Sequence, residues 1–206
     1  MSSEIAIEIA KNQAEFGLAL RAEPAETVEK LSHYYDLVMK QNALLHLVAP
    51  CSAAEFAVRH ILESLTLLKY LPQNACFADV GPGAGLPSIP CLIARADLGA
   101  HLIESKEKKA RFLGQTIEQL GLSQRATIVT RQFEEIECPP EAQFVACRAL
   151  DKFTQKLPKL LKWAKGKKLL LFGGPALESE LAILNIRYHR DLMPLSEQRY
   201  LISTDA

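Results

Sequence analysis

The chain has 206 residues, 49% of them apolar, with 24 basic and 24 acidic side chains and a formal net charge of zero. That size and apolar content predict one folded domain, or one with a smaller appended piece, and exclude a disordered chain. Zero net charge excludes nucleic-acid binding by bulk charge alone, so any basic footprint must be local.

The opening stretch MSSEIAIEIAKNQAEF has no basic leader followed by an unbroken apolar run, because Glu4 and Glu8 interrupt it. No segment reaches the roughly 20 apolar residues a membrane span needs. The expectation is therefore a cytoplasmic protein with no membrane partner. The five cysteines, Cys51, Cys76, Cys91, Cys138 and Cys147, are odd in number and scattered. With no C-x-x-C pair they read as buried free thiols, and no metal is expected.

Up to Leu71 the periodicity is helical. Pro24 suits a helix start, and over Ala25 to Leu47 the residues Val28, Leu31, Tyr35, Val38 and Met39 share one face. A second helix, Ala53 to Tyr70, follows Ser52 as N-cap and stops at Leu71-Pro72. After Pro72, short apolar runs alternate with amphipathic stretches, the pattern of βα units on a largely parallel sheet. Strands are predicted at 76–80, 100–104, 126–130, 144–148, 168–172, 186–190 and 200–203, and helices at 86–94, 106–120, 152–165 and 176–184. The picture is α/β, with a helical N-terminal cap (1–72) on an open sheet domain (73–206).

The first strand runs into DVGPGAGLP, Asp79 to Pro87. A strand, then Gly81, Gly83 and Gly85, then a helix start is an arrangement in which backbone amides face a polar ligand. The dinucleotide fingerprint G-x-G-x-x-G is not met, because Leu86 stands where its third glycine belongs. Asp79 beside the loop would repel a pyrophosphate and attract an ammonium group. Glu104, at the end of the second strand, is placed to accept hydrogen bonds from both hydroxyls of a ribose. S-adenosylmethionine has the ammonium and the ribose and lacks a phosphate, so it fits better than NAD.

The run VRHILES (58–64), the loop DVGPGAGLPSIP, LIESKEKKARFL, FEEI and CRAL occur in this order with spacing that resembles the RsmG (GidB) family. Members of that family are bacterial methyltransferases that use S-adenosylmethionine to methylate N7 of one guanosine in small-subunit ribosomal RNA. The resemblance implies a Rossmann-like class I S-adenosylmethionine-dependent methyltransferase fold. It implies that Gly81 and Leu86 line the cofactor, with Gly83 and Gly85 permitting its approach. Glu104 would hold the ribose, and Phe133 and Glu134 would flank the adenine. Arg148, ending the fourth strand, would touch cofactor and RNA and position the reactants. Arg59 and His60 would lie at the mouth of the site.

Lys152, Lys156 and Lys159 form a basic stripe on one helix, followed by Lys165, Lys167 and Lys168, while Lys108, Lys109 and Arg111 form a second cluster. Both offer phosphate contacts to the expected partner, small-subunit ribosomal RNA or the assembled subunit. A monomer is the favoured form. Departures from the family fall at His46 and Val48, where it has N-L-T, at Gln132, where it has an arginine, and at Gly173, where it has a lysine. They leave open a shifted methyl acceptor, or a ribosome-associated module without activity.

Overall fold

The structure, a computed structural model, describes residues 3–17, 20, 24–148 and 153–204. Three helices open the chain: α1 (Glu4–Lys11), α2 (Gln13–Gly17) and α3 (Pro24–Leu45). Next comes one continuous but irregular helical segment. It begins as α4 (Ala53–Glu55), capped by a reciprocal Ser52–Glu55 box, widens into a π turn (Phe56–Leu62), and returns as α5 (Glu63–Leu65) before a 3-10 turn (Thr66–Lys69).

The sheet domain follows as β1 (Cys76–Val80), α6 (Ser88–Ala94), β2 (Gly99–Ile103), α7 (Glu107–Gln119), β3 (Ala126–Val129) and β4 (Phe144–Arg148). It closes with α8 (Phe153–Trp163), β5 (Lys168–Gly173), α9 (Pro175–Ile183), β6 (Tyr188–Leu192) and β7 (Tyr200–Thr204). The strand order is β3-β2-β1-β4-β5-β7-β6; β7 is antiparallel to both β5 and β6, and the other pairings are parallel. The order in which strands are added reverses between β1 and β4, which opens a crevice at the carboxyl ends of those strands.

Strand alternation divides the core in two. Phe77, Ala100, Leu102, Ala146, Leu170 and Leu201 face the cap together with α6 and α7. Ala78, Val80, Ile103, Val145, Cys147, Leu169 and Leu171 face α8 and α9. The first cluster also contains Ile5, Leu31, Val38, Phe56 and Ile61, so cap and sheet share one core. Tyr34 is fully buried in that core and donates to the Ala84 carbonyl (3.1 Å), which ties α3 to the glycine loop.

Several expectations need correction. On α3 the expected face Val28, Leu31, Tyr35, Val38 and Met39 does pack against the core, but it omitted Tyr34, which is fully buried where Tyr35 is half-buried. The sheet expected to be largely parallel ends in an antiparallel β6–β7 hairpin, with β7 the inner strand beside β5. All five cysteines are free, but only Cys91 and Cys147 are buried. Lys165, Lys167 and Lys168 lie around the start of β5, the end of the sheet opposite the crevice. Lys167 donates to the Pro140 carbonyl and Lys168 sits over the Tyr70 ring, so neither faces the site. Lys152 lies outside the described residues.

Candidate cofactor and RNA site

At the carboxyl ends of β1, β2 and β4 lies a cleft of about 340 Å³. One wall is the glycine loop with Leu86 and Glu104; the other contains Leu47, Val48, Ala49, His60 and Arg148, with Lys106, Lys109 and Lys156 around it. Gly81, Gly83 and Gly85 have φ of 72°, 56° and 99°, the left-handed region that glycine enters without penalty. The loop is closed on itself: the amides of Gly85 and Leu86 both donate to the Pro82 carbonyl, at 2.8 and 3.0 Å. Helix α6 begins at Ser88, so Leu86 and Pro87 precede its first turn.

Glu104 is buried, and both its oxygens are held. Oε2 accepts from the Gly83 amide (3.1 Å) and Oε1 from the Lys106 amide (2.8 Å). A carboxylate therefore sits where a phosphate-binding loop would present amides, which disfavours an anionic ligand. Each oxygen keeps a lone pair for a hydroxyl.

The glycines divide by task. A Cβ on Gly83 would come no nearer than 4.0 Å to its closest neighbour, the Gly81 carbonyl oxygen. One on Gly85 would lie 2.3 Å from Ile89 Cδ1 and 3.3 Å from Leu113 Cδ2. Gly85 thus serves the packing of α6 and α7 and not, as expected, the approach of a ligand.

Asp79 is placed beneath the loop, fully buried and absent from the cleft wall. Its Oδ2 accepts a hydrogen bond from Ser88, while Oδ1 has no partner among the described residues. Burial pushes this carboxyl up to about 7, against the pull of the Ser88 hydrogen bonds.

Arg148 is anchored deeply. Its Nη2 donates to the Arg59 carbonyl and to Glu63 Oε2 (3.1 Å), its Nη1 to Ser64 Oγ (3.4 Å), and its guanidinium stacks 5.6 Å from the Phe172 ring centre. Glu63, 2% exposed, also binds Arg199 at 2.6 Å. Sequence spacing pairs Glu63 with Arg59 four residues earlier. The π turn changes the phase: the Glu63 amide reaches back to the Val58 carbonyl, five residues away, and the carboxylate turns inward. Arg199 had no sequence signal beyond being a charged residue just before a strand.

His60 lines the cleft, edge-on to Phe56 at 5.0 Å, and Arg59 is exposed. Burial, with Arg148, Arg59 and Arg199 nearby, pushes the His60 imidazole down to about 4; Glu55 opposes this weakly.

Phe133 and Glu134 border a smaller adjoining pocket that shares Gly81, Ser105 and Lys156 with the main cleft. The Phe133 ring is 3% exposed and packs against Trp163 at 5.6 Å. Lys156 sits 3.7 Å from Glu134 and 5.7 Å from the Phe133 ring centre, inside the site and away from an outer stripe. Lys159 and Lys108 are exposed, and Arg111 pairs with Glu107 on the surface. Lys109 lines the cleft and donates to the His46 carbonyl at 3.3 Å.

The departures from the resembled pattern sit in defined local surroundings. Asn42 Oδ1 accepts from the amides of Leu47 and Val48, and His46 has φ 47°, a conformation histidine tolerates better than most residues. A Cβ on Gly173 would lie 2.6 Å from Leu177 Cδ2, so Leu177 occupies the space a lysine stem would need. Gln132 and Glu135 form a reciprocal cap on a short 3-10 turn (Phe133–Glu135).

Comparison with known proteins agrees with this geometry. The chain is 35% identical over 147 residues to the ribosomal RNA small subunit methyltransferase G of Pelotomaculum thermopropionicum, covering 70% of this chain and 60% of that protein. It is 31% identical to the protein of the same name from Xanthomonas campestris, covering 87% of this chain and 79% of the relative. Among solved structures, the mitomycin 7-O-methyltransferase MmcR matches with a TM-score of 0.60 at 15% identity, covering 89% of this chain and 68% of that one. The M. jannaschii TYW2 in complex with AdoMet matches with a TM-score of 0.54 at 13% identity, covering 70% and 74%. These two likenesses show a Rossmann-like fold. The family described as GidB: rRNA small subunit methyltransferase G matches residues 27–196, and the chain belongs to it.

Proposed function

We propose that this protein transfers a methyl group from S-adenosylmethionine to N7 of a guanosine in small-subunit (16S) ribosomal RNA, acting in the cytoplasm. One observation carries the cofactor reading: Glu104, fixed by two backbone amides, presents a carboxylate to a cleft whose loop leaves open space at Gly83. A ribose fits that carboxylate and a pyrophosphate does not. Asp79, expected beside the ligand's ammonium group, lies buried beneath the loop and outside the cleft lining, with its carboxyl pushed up to about 7 by burial, so it supports the loop and does not meet the ligand. When bound, S-adenosylmethionine supplies a methyl group made electrophilic by a sulfonium.

Guanine N7 carries an in-plane lone pair and no proton, so transfer to it needs no general base from the chain. The residues of this cleft would bind and orient the two reactants and keep water out. Arg148 is best read as a positioning residue, because Glu63, Ser64 and the Arg59 carbonyl already hold its guanidinium. Gly81, Leu86, Phe133 and Glu134 would surround the cofactor. Arg59, Lys108, Lys109 and Lys159 would meet phosphates, which gives position without sequence specificity.

The test is incubation of the protein with methyl-labelled S-adenosylmethionine and small subunits from a strain lacking the modification. Label at a guanine N7 is the expected outcome. A preparation that binds the cofactor and labels no RNA would move the acceptor elsewhere.

A further inference from the structure

The two walls of the cleft differ in how their polar groups are used. On the wall formed by Leu47, Val48, Ala49, His60 and Arg148, the Arg148 guanidinium is committed to neighbouring protein groups. His60 is not. Its Nδ1 is enclosed without a partner among the described residues, and its ring lines the cleft. Nε2 is therefore the nitrogen left to meet a ligand.

The protonation state follows from the surroundings. Burial of the ring first, and then Arg148 on β4, Arg59 on the same helix and Arg199 before β7, disfavour a positive charge on it, and Glu55 opposes them. The ring is neutral near pH 7 and carries one N–H. An enclosed orphan N–H is worse tolerated than an enclosed orphan acceptor, which assigns the proton to Nε2.

We propose that His60 selects the acceptor base by donating its Nε2–H to the exocyclic oxygen of guanine, beside the nitrogen that takes the methyl group. This rests on the methyltransferase reading above. Guanine presents two acceptors on that edge, whereas adenine presents an amino donor where guanine has its oxygen. Against His60 an adenine would set N–H against N–H, so the same contact that favours guanine rejects adenine. A neutral donor also tolerates the positive charge that the base acquires, which an imidazolium would repel.

A contact made equally before and during transfer supports binding of the acceptor and leaves the chemical step alone. With undermethylated small subunits, His60→Ala is expected to raise KM for the subunit about tenfold, with kcat within about threefold. Affinity for S-adenosylmethionine, measured by calorimetry, is expected to stay unchanged. His60→Gln, whose side-chain amide can donate, should recover part of the loss, and His60→Met should not. Should His60→Ala fail to fold, the Gln and Met variants carry the comparison. A fall in kcat at unchanged KM, equal behaviour of Gln and Met, or a parallel loss of cofactor affinity would overturn the assignment. Wild-type protein that binds cofactor but labels no subunit RNA would overturn the function reading and this one together. Transfer by the wild type with an unchanged KM in His60→Ala would overturn this one alone.

Discussion

Asp79 and His60 respond to burial in opposite directions. Asp79 holds its proton up to about 7 in the fold, against 3.8 ordinarily, whereas His60 takes one only near 4, against 6.5. As pH rises from 3.8 toward 7 the unfolded chain gives up the Asp79 proton and the folded chain keeps it, so stability is lost. As pH falls from 6.5 toward 4 the unfolded chain protonates His60 and the folded chain does not, so stability is lost in the other direction. The two slopes offset each other across that window. Relative to wild type, His60→Gln should therefore gain stability as pH falls from about 6.5 to about 4.5, and Asp79→Asn should gain as pH rises. Urea midpoints across that range test this, and variant curves parallel to wild type would refute it.

The glycine loop shows how one element combines two requirements. Gly83→Ala pays only for its φ of 56°, roughly 1 kcal/mol, since open space surrounds the added carbon. Gly85→Ala pays for φ and for contact with Ile89 and Leu113, about 2 kcal/mol or more. Gly83→Ala should then weaken S-adenosylmethionine binding with a small change in melting temperature, while Gly85→Ala lowers the melting temperature more. Unchanged cofactor affinity in Gly83→Ala would contradict the placement of the ligand against the loop.

Across the whole molecule, Glu63 joins three regions distant in sequence. It binds Arg148, 85 residues later on β4, and Arg199, 136 residues later beside the β6–β7 hairpin. Removing one partner of a buried charge group leaves the others uncompensated, which costs about 3 kcal/mol. Glu63→Ala should lose about that much in chemical denaturation. Adding Arg199→Ala should cost less than the sum of the single changes, since both remove one interaction. Strict additivity would show that Glu63 and Arg199 do not act together.

What the sequence determined by itself is the local pattern. Apolar runs of strand length, amphipathic stretches and glycine breaks set the order of β and α elements, because backbone periodicity is a short-range property. The loop 79–87 and the carboxylate at Glu104 were legible for the same reason: a turn chemistry and a strand end are local. Tertiary structure decided which side chains meet. The π turn rotated Glu63 away from Arg59, and the contact with the glycine loop buried Tyr34, which the α3 face read from the sequence did not include. Gly85 became a packing residue because Ile89 of α6, with Leu113 of α7 behind it, fills the space at its Cβ, and Lys165, Lys167 and Lys168 went to the far end of the sheet with the start of β5. Each depends on strand order and helix phase, which bring together residues that no window of sequence contains.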